Sequence, residues 1–305
     1  MRLARGGLRP TVVEAFPNCP LEPLFRALSI TKPELDLNSF DVITDRRNLR
    51  LLLAFVSGQI RKEEFRWDVE VVGNSVLFSR WIDWESRRRP AGYGREFEQN
   101  FATIPRCASG SLVHKRAVAY TLGGLRMMVR FEVDACLEAP AERREGERVE
   151  EFTGHRVIVG GALVKDEGVV EMKSKQTGSR TRTYDKDLSQ MWLSRTPILC
   201  EGIHKRGVFH TVSVSNRQEN GEFLQWEEAN QARIGKLVAV IRLLKDTMEK
   251  ADGERFAVVS EKGSDSLEVY RLEPTYLFRL PDDLRENWRK QVKSPVEIAL
   301  QHLTI

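Results

Sequence analysis

No stretch of this sequence approaches the roughly 18 consecutive apolar residues of a membrane-spanning helix, and no apolar core of a secretory signal lies near its start. A soluble chain without membrane attachment is expected, intracellular and either nuclear or cytoplasmic. Cysteine is scarce. Cys19, Cys107, Cys136 and Cys200 stand far apart with no C-x-x-C pair, which argues against a disulfide scaffold and a zinc site and for free thiols in a reducing compartment. The five histidines show no H-E-x-x-H or comparable spacing. Net charge is low as well: 48 basic against 44 acidic residues leave only +4. An architectural nucleic-acid binder, whose affinity comes mainly from neutralising phosphates, is not built this way. Any contact with nucleic acid must come from local basic patches. Internal repeats and low-complexity segments are also missing.

What is present is enough for a sizeable core. The chain has 305 residues, 41% hydrophobic and 30% charged, near the upper limit of one domain. A single domain over 1–305 is expected, with residues 1–40 as an arm carrying one short helix. Asp41–Arg61 has Leu49, Leu52, Leu53 and Val56 at helical spacing. Glu64–Trp84 alternates around Gly73-Asn74, a hairpin signal. GREFEQNFATI, from Gly94, reads as a helix. Strands are expected within 112–137 and 155–175, joined by the charged loop Pro140–Glu151. A helix is expected over Asp187–Ser194 and a strand over Gly207–Asn216. Trp226–Lys250 is the longest expected helix, with Ile234, Leu237, Val238, Ile241, Leu244 and Met248 in one stripe. FAVVSEK and SLEVYRLE read as strands, and a capping box at Ser294–Glu297 starts a last helix. The fold class is therefore α+β: mixed β-sheets in a two-sheet core, flanked by helices.

Two strand-like runs carry the chemistry. MMVRFEVDACL contains Glu132 and Asp134, and GVVEMKSK contains Glu171 and Lys173. Residues i and i+2 of a strand face the same side. Glu132 and Asp134 thus share a face, as do Glu171 and Lys173, while Val133 and Met172 point into apolar packing. If the two strands are neighbours, three carboxylates and one ammonium meet in one pocket. Clustered carboxylates repel unless a cation lies among them, and hard oxygen ligands suit magnesium or manganese. Such a pocket suits metal-assisted phosphodiester hydrolysis, with the lysine orienting water or neutralising phosphate. The plainer reading of such carboxylates, the wet face of a half-exposed strand, is the one expected for Asp68 and Glu70 in FRWDVEVV. Basic candidates are Arg46, Arg47 and Arg50 at a helix start, the loop Arg87–Arg89, and the run Lys173–Lys186 with Lys175, Arg180 and Arg182. That run directly follows the E-M-K strand, where a nucleic-acid backbone would pass.

The order of these motifs resembles the DXO family of RNA 5′-end decapping nucleases, which includes the partner protein of the nuclear 5′→3′ exoribonuclease. The elements are an arginine at a helix start (I-T-D-R-R-N-L), a hairpin, G-R-E-F-E, E-V-D, E-M-K, and a helix with glutamine near tryptophan (L-S-Q-M-W-L). The resemblance runs from about Ile43 to Asn216. It implies a PD-(D/E)XK-like core and a metal-dependent hydrolase and RNA-binding nuclease, working in mRNA decapping and RNA 5′-end quality control. It assigns Arg46 to phosphate, Glu98 to a metal, Glu132 and Asp134 to the acidic pair, and Glu171 and Lys173 to catalysis. Gln190 would touch RNA near the scissile phosphate. Two ions, Mg2+ or Mn2+, are implied, held by Glu98, Glu132, Asp134 and Glu171. Substrates would be capped, triphosphate or NAD-capped RNA 5′ ends, with decapping, pyrophosphohydrolase, NAD-cap removal or 5′→3′ exoribonuclease activity. An exoribonuclease is the implied protein partner. Asp45 and Arg47 stand where the family carries tryptophan and glycine, which marks a divergent member. Two other readings stay open: a non-catalytic stabiliser of an exoribonuclease, and a DNA nuclease on the same core.

Overall fold

The structure, a computed structural model, describes residues 3–5, 19–59, 64–80, 92–104, 113–137, 148–152, 155–159, 164–178, 184–251, 255–273 and 279–290. In chain order the first elements are β1 (Leu3–Arg5), α1 (Glu22–Thr31), β2 (Val42–Asp45), α2 (Arg46–Val56), β3 (Phe65–Val72), β4 (Ser75–Arg80) and α3 (Gly94–Phe101). There follow β5 (Ala102–Thr103), β6 (Lys115–Leu122), β7 (Leu125–Glu132), β8 (Ala135–Leu137), β9 (Arg148–Phe152), β10 (His155–Val159), β11 (Val169–Gln176) and α4 (Tyr184–Leu193). The last are β12 (Ile198–Lys205), β13 (Val208–Asn216), α5 (Glu222–Ala229), α6 (Gln231–Glu249), β14 (Arg255–Ser260), β15 (Glu268–Arg271) and α7 (Asp282–Lys290). The fold is α+β, as expected. No described helix is long and apolar enough to cross a membrane.

The chain divides into two compact units: Met1–Val12, Ile82–Val118 and Val129–Gly235 in the first, Val13–Trp81, Ala119–Met128 and Lys236–Ile305 in the second. The first unit holds a six-stranded mixed sheet in the order β13-β12-β11-β8-β1-β5, with parallel β11/β12 and β1/β5 pairs. Its core gathers Phe97, Ala102, Ala135, Val170, Met172, Ile198 and Cys200. β9 and β10 pair separately as an antiparallel ribbon. The seven-stranded sheet, in the order β15-β14-β3-β4-β2-β7-β6, belongs mainly to the second unit. There Phe65 stacks on Trp67 with ring centroids 4.9 Å apart. Helix α2 buries Leu49, Leu52 and Leu53 and exposes Arg47, the amphipathic division its spacing predicts. Gly73 turns the β3/β4 hairpin at φ +57°, and a Cβ there would stand 2.2 Å from Asn38 Oδ1.

Several boundaries differ from expectation. Val42–Asp45 is a strand, so α2 begins only at Arg46; three buried residues pair in parallel with β4 before the chain turns helical. The expected helix Trp226–Lys250 is two helices, broken at Asn230, whose side-chain amide donates to Trp226 O at 2.7 Å. Arg148–Phe152, within the expected charged loop and just beyond it, is a strand because it finds a partner in β10. The expected helix at Ser294 and the Arg87–Arg89 loop lie outside the described residues.

Candidate metal centre

Strand β11 is the axis of the site. It pairs antiparallel with β8, Val169 opposite Cys136 and Val170 opposite Ala135. One step further the register sets Glu171 opposite Asp134, and opposite residues of an antiparallel pair point to one face. The ladder itself stops there, because Val133 and Asp134 form a link between β7 and β8. Asp134 Oδ2 replaces the missing backbone partner and accepts from Met172 N at 2.9 Å. The strand expected to carry E-V-D is thus two strands in two different sheets. The alternation survives the break: Glu132 and Asp134 are partly exposed, and Phe131, Val133 and Ala135 are buried.

On its other side β11 pairs in parallel with β12, Glu171 beside Leu199 and Lys173 beside Glu201. Glu171, Lys173, Lys175 and Glu201 therefore share one face. Helix α4 reaches that face twice. Gln190 Nε2 donates to Glu171 Oε1, which also accepts from Lys173 Nζ. At the other end Lys175 Nζ donates to Glu201 Oε2 at 2.6 Å and stands 3.4 Å from Asp187 Oδ2. The opposite face of β11 presents Val170 and Met172 to Phe97 of α3. The residue after Phe97 is Glu98.

Electrostatics follow from this packing. Burial, then Glu171 and Glu98, push the Asp134 carboxyl well above the ordinary aspartate value, against the pull of Lys173 and the Met172 N–H. Burial alone would lower the Lys173 pKa, but Glu171 and Asp134 outweigh it and the ammonium is held more firmly charged. Asp187 is raised by burial, opposed by Lys173 and Lys175. The Cys200 thiol is pushed up to about 11 by burial, which makes it inert as a nucleophile.

The structure therefore brings together Asp134, Glu171, Lys173 and Gln190, with Glu98 close enough to act on Asp134. Among the described residues no three His, Cys, Asp or Glu side chains already converge as a closed set of metal ligands. The positive charge at Glu171 is supplied by Lys173. The donor set still fits a hard divalent cation: oxygen ligands only, with Glu171 and Glu98 both helping to raise the Asp134 pKa. Lys175, expected to guide a nucleic-acid strand, is engaged by Glu201 and Asp187. Arg46 is the first residue of α2, in the second unit, and Arg180 and Arg182 lie outside the described residues. Asp187 and Glu201 escaped the sequence reading. Asp187 was within reach of it, since it precedes Gln190 by three residues and helical spacing puts both on one face.

Residues 11–288 match the model of a family described as a domain of unknown function, DUF8563. The chain belongs to the DUF8563 family. No curated protein matches this DUF8563 chain. Solved structures do. Rai1 of Scheffersomyces stipitis, in complex with (3'-NADP)+ and calcium ion, matches with a TM-score of 0.64 and 14% identity, over 93% of this chain and 83% of that one. Candida albicans Rai1, in complex with pU5-Mn2+, matches at 0.63 and 12%, over 94% and 90%. Dxo1 of K. lactis, in complex with manganese, matches at 0.55 and 12%, over 88% and 76%. This DUF8563 protein therefore has the Rai1/Dxo1 fold, the one its motif order resembles.

Proposed function

We propose that the chain is a metal-dependent hydrolase of RNA 5′ ends, in the manner of a divergent DXO-type decapping nuclease. One observation carries the reading: Asp134, in the link that leads into β8, and Glu171, on the neighbouring strand β11, meet on one face with Lys173 and Gln190 bound to Glu171. The Rai1/Dxo1 fold supports it, since structures of that fold were solved with pU5 and manganese or with (3'-NADP)+ and calcium. Asp134, Glu171, Glu98 and Glu132 would hold one or two Mg2+ or Mn2+ ions. Bound there, the cation lowers the pKa of water and offsets charge at phosphorus.

The chain's own residues do the rest. Gln190 and Lys173 fix the Glu171 carboxylate in one orientation, so that it needs no reorganisation when a substrate arrives. Lys173, kept cationic by Glu171 and Asp134, is the group to neutralise a phosphate oxygen. Lys175 holds Asp187, and through it the end of α4 opposite Gln190. Arg46, Arg180 and Arg182 are the candidates for guiding the RNA strand.

The test is incubation of the purified protein and manganese with triphosphate, guanosine-capped, NAD-capped and monophosphate RNAs. The expected result is cleavage of at least one 5′ end and its loss in a Glu171→Gln variant that still folds. If all four RNAs remain intact, the enzyme reading fails. A matching single-stranded DNA separates an RNA enzyme from a DNA nuclease on the same core.

A further inference from the structure

Strand β13 is the outermost strand of the six-stranded sheet and spans nine residues. Residues 210–214 are exposed without interruption, and Val208, Val212 and Val214 are 62, 40 and 43% exposed. A bare strand edge is a template for pairing, and proteins usually blunt it with shortness, charge or proline. The other outer strands of the two large sheets follow that rule. β5 has two residues, β15 has four with Glu268 and Arg271 at its ends, and β6 starts with Lys115 and Arg116. β13 reads VFHTVSVSN, with no charged residue and no proline. Its one irregularity is a register shift against β12 at His210, which leaves Thr211–Asn216 as a regular run.

That run is self-complementary. In an antiparallel pair related by a two-fold axis, opposite residues share a face, so the axis must pass through a residue and not between two. With the axis at Ser213, Val212 meets Val214 of the second copy and Val214 meets its Val212. These are β-branched pairs on one face. Thr211 meets Ser215 twice on the other, as hydroxyl pairs. Both kinds stabilise adjacent strands, and no like charges are opposed. A second copy supplies these pairs by symmetry alone, with no further partner needed.

We propose that the protein pairs with itself through β13, antiparallel about Ser213, to form one continuous sheet across two copies. The axis is perpendicular to the sheet, so both Asp134–Glu171 centres lie on the same face. Five strand spacings separate the two β11 strands, about 24 Å.

The test uses the full chain. Sedimentation at tens of micromolar is expected to give twice the mass of one chain, and one chain's mass for Ser213→Lys, which sets two ammonium groups against each other on the axis. A second set of variants covers the case in which Ser213→Lys disturbs folding. Ser213→Cys should cross-link to itself on mild oxidation, because opposite Cα atoms lie within disulfide reach. Val212→Cys and Val214→Cys should each stay uncross-linked alone and should cross-link when mixed. The unsubstituted chain, in which Cys19 and Cys200 are buried, sets the baseline. A monomeric wild type overturns the proposal. So does a dimer that survives Ser213→Lys, or one in which Val212→Cys cross-links alone while Ser213→Cys does not.

Discussion

Replacing Gly202 by alanine should strain the first unit and loosen the helix that carries Glu98. Gly202 lies on β12, and a Cβ there would stand 2.4 Å from Phe97 Cε2, 2.7 Å from Cζ and 2.8 Å from Cδ2. Carbon atoms in contact ordinarily sit about 3.5–4.0 Å apart, so the ring must retreat by about 1 Å. It has nowhere to go. Phe97 is fully buried, stacked on Phe209 at 4.8 Å and tilted against Phe101 at 4.8 Å. Forcing one methyl group into such packing costs about 1–3 kcal/mol. Urea unfolding should therefore show a lower midpoint for Gly202→Ala. The assignment to Phe97 has its own check: in a Phe97→Leu background the same substitution should cost little, since contacting residues couple and distant ones do not. Manganese affinity should also fall, because Glu98 follows Phe97 and moves with α3. An unchanged midpoint, or an equal cost in both backgrounds, would refute the reasoning.

Lys173→Met removes the cation on Glu171, a carboxylate that is only 2% exposed. Stranding a buried partner costs about 3 kcal/mol or more, and manganese should restore part of the loss in a thermal-shift measurement. In the second unit, the hydrogen bond from Arg26 holds Asp283 below the ordinary aspartate pKa, against slight burial. An acid with a depressed folded pKa contributes stability that is present above its unfolded value and lost as pH falls through the folded one. Urea midpoints of Asp283→Asn should thus converge on those of the wild type below about pH 4 and fall short of them above it. For Asp134 the sign is reversed. Its raised pKa means that the folded protein loses stability as pH rises from the unfolded value through the folded one. Metal-free Asp134→Asn should therefore melt higher than the wild type at neutral pH, and equal or lower melting would count against the clustered carboxylates.

Much of this arrangement was legible in short-range patterns. The i, i+2 spacing of E-M-K foretold that Glu171 and Lys173 face together, and the register of β8 on β11, carried one step on, puts Asp134 opposite Glu171. Gly73-Asn74 marked its hairpin, and the stripe from Ile234 to Met248 is buried. Illegible features depend on partners distant in sequence. The alternation around Val133 runs on without a break, so nothing local reveals that the chain changes sheets there. The Lys175–Glu201 pair exists only through the parallel register of β11 and β12. Helix α7, DDLRENWRK, buries Leu284 and Trp288 among its described side chains, too few apolar positions to stand out among its charges. Val42–Asp45 passes from strand to helix with no turn residue between them, which hides the boundary.

The claim on which the functional reading rests is that Asp134 and Glu171 hold a divalent cation together. Calorimetric titration of the metal-free protein with manganese tests it directly. Saturable binding is expected in the wild type, with loss in Asp134→Asn and in Glu171→Gln while both variants remain folded. No binding by the wild type, or undiminished binding by both variants, would contradict it.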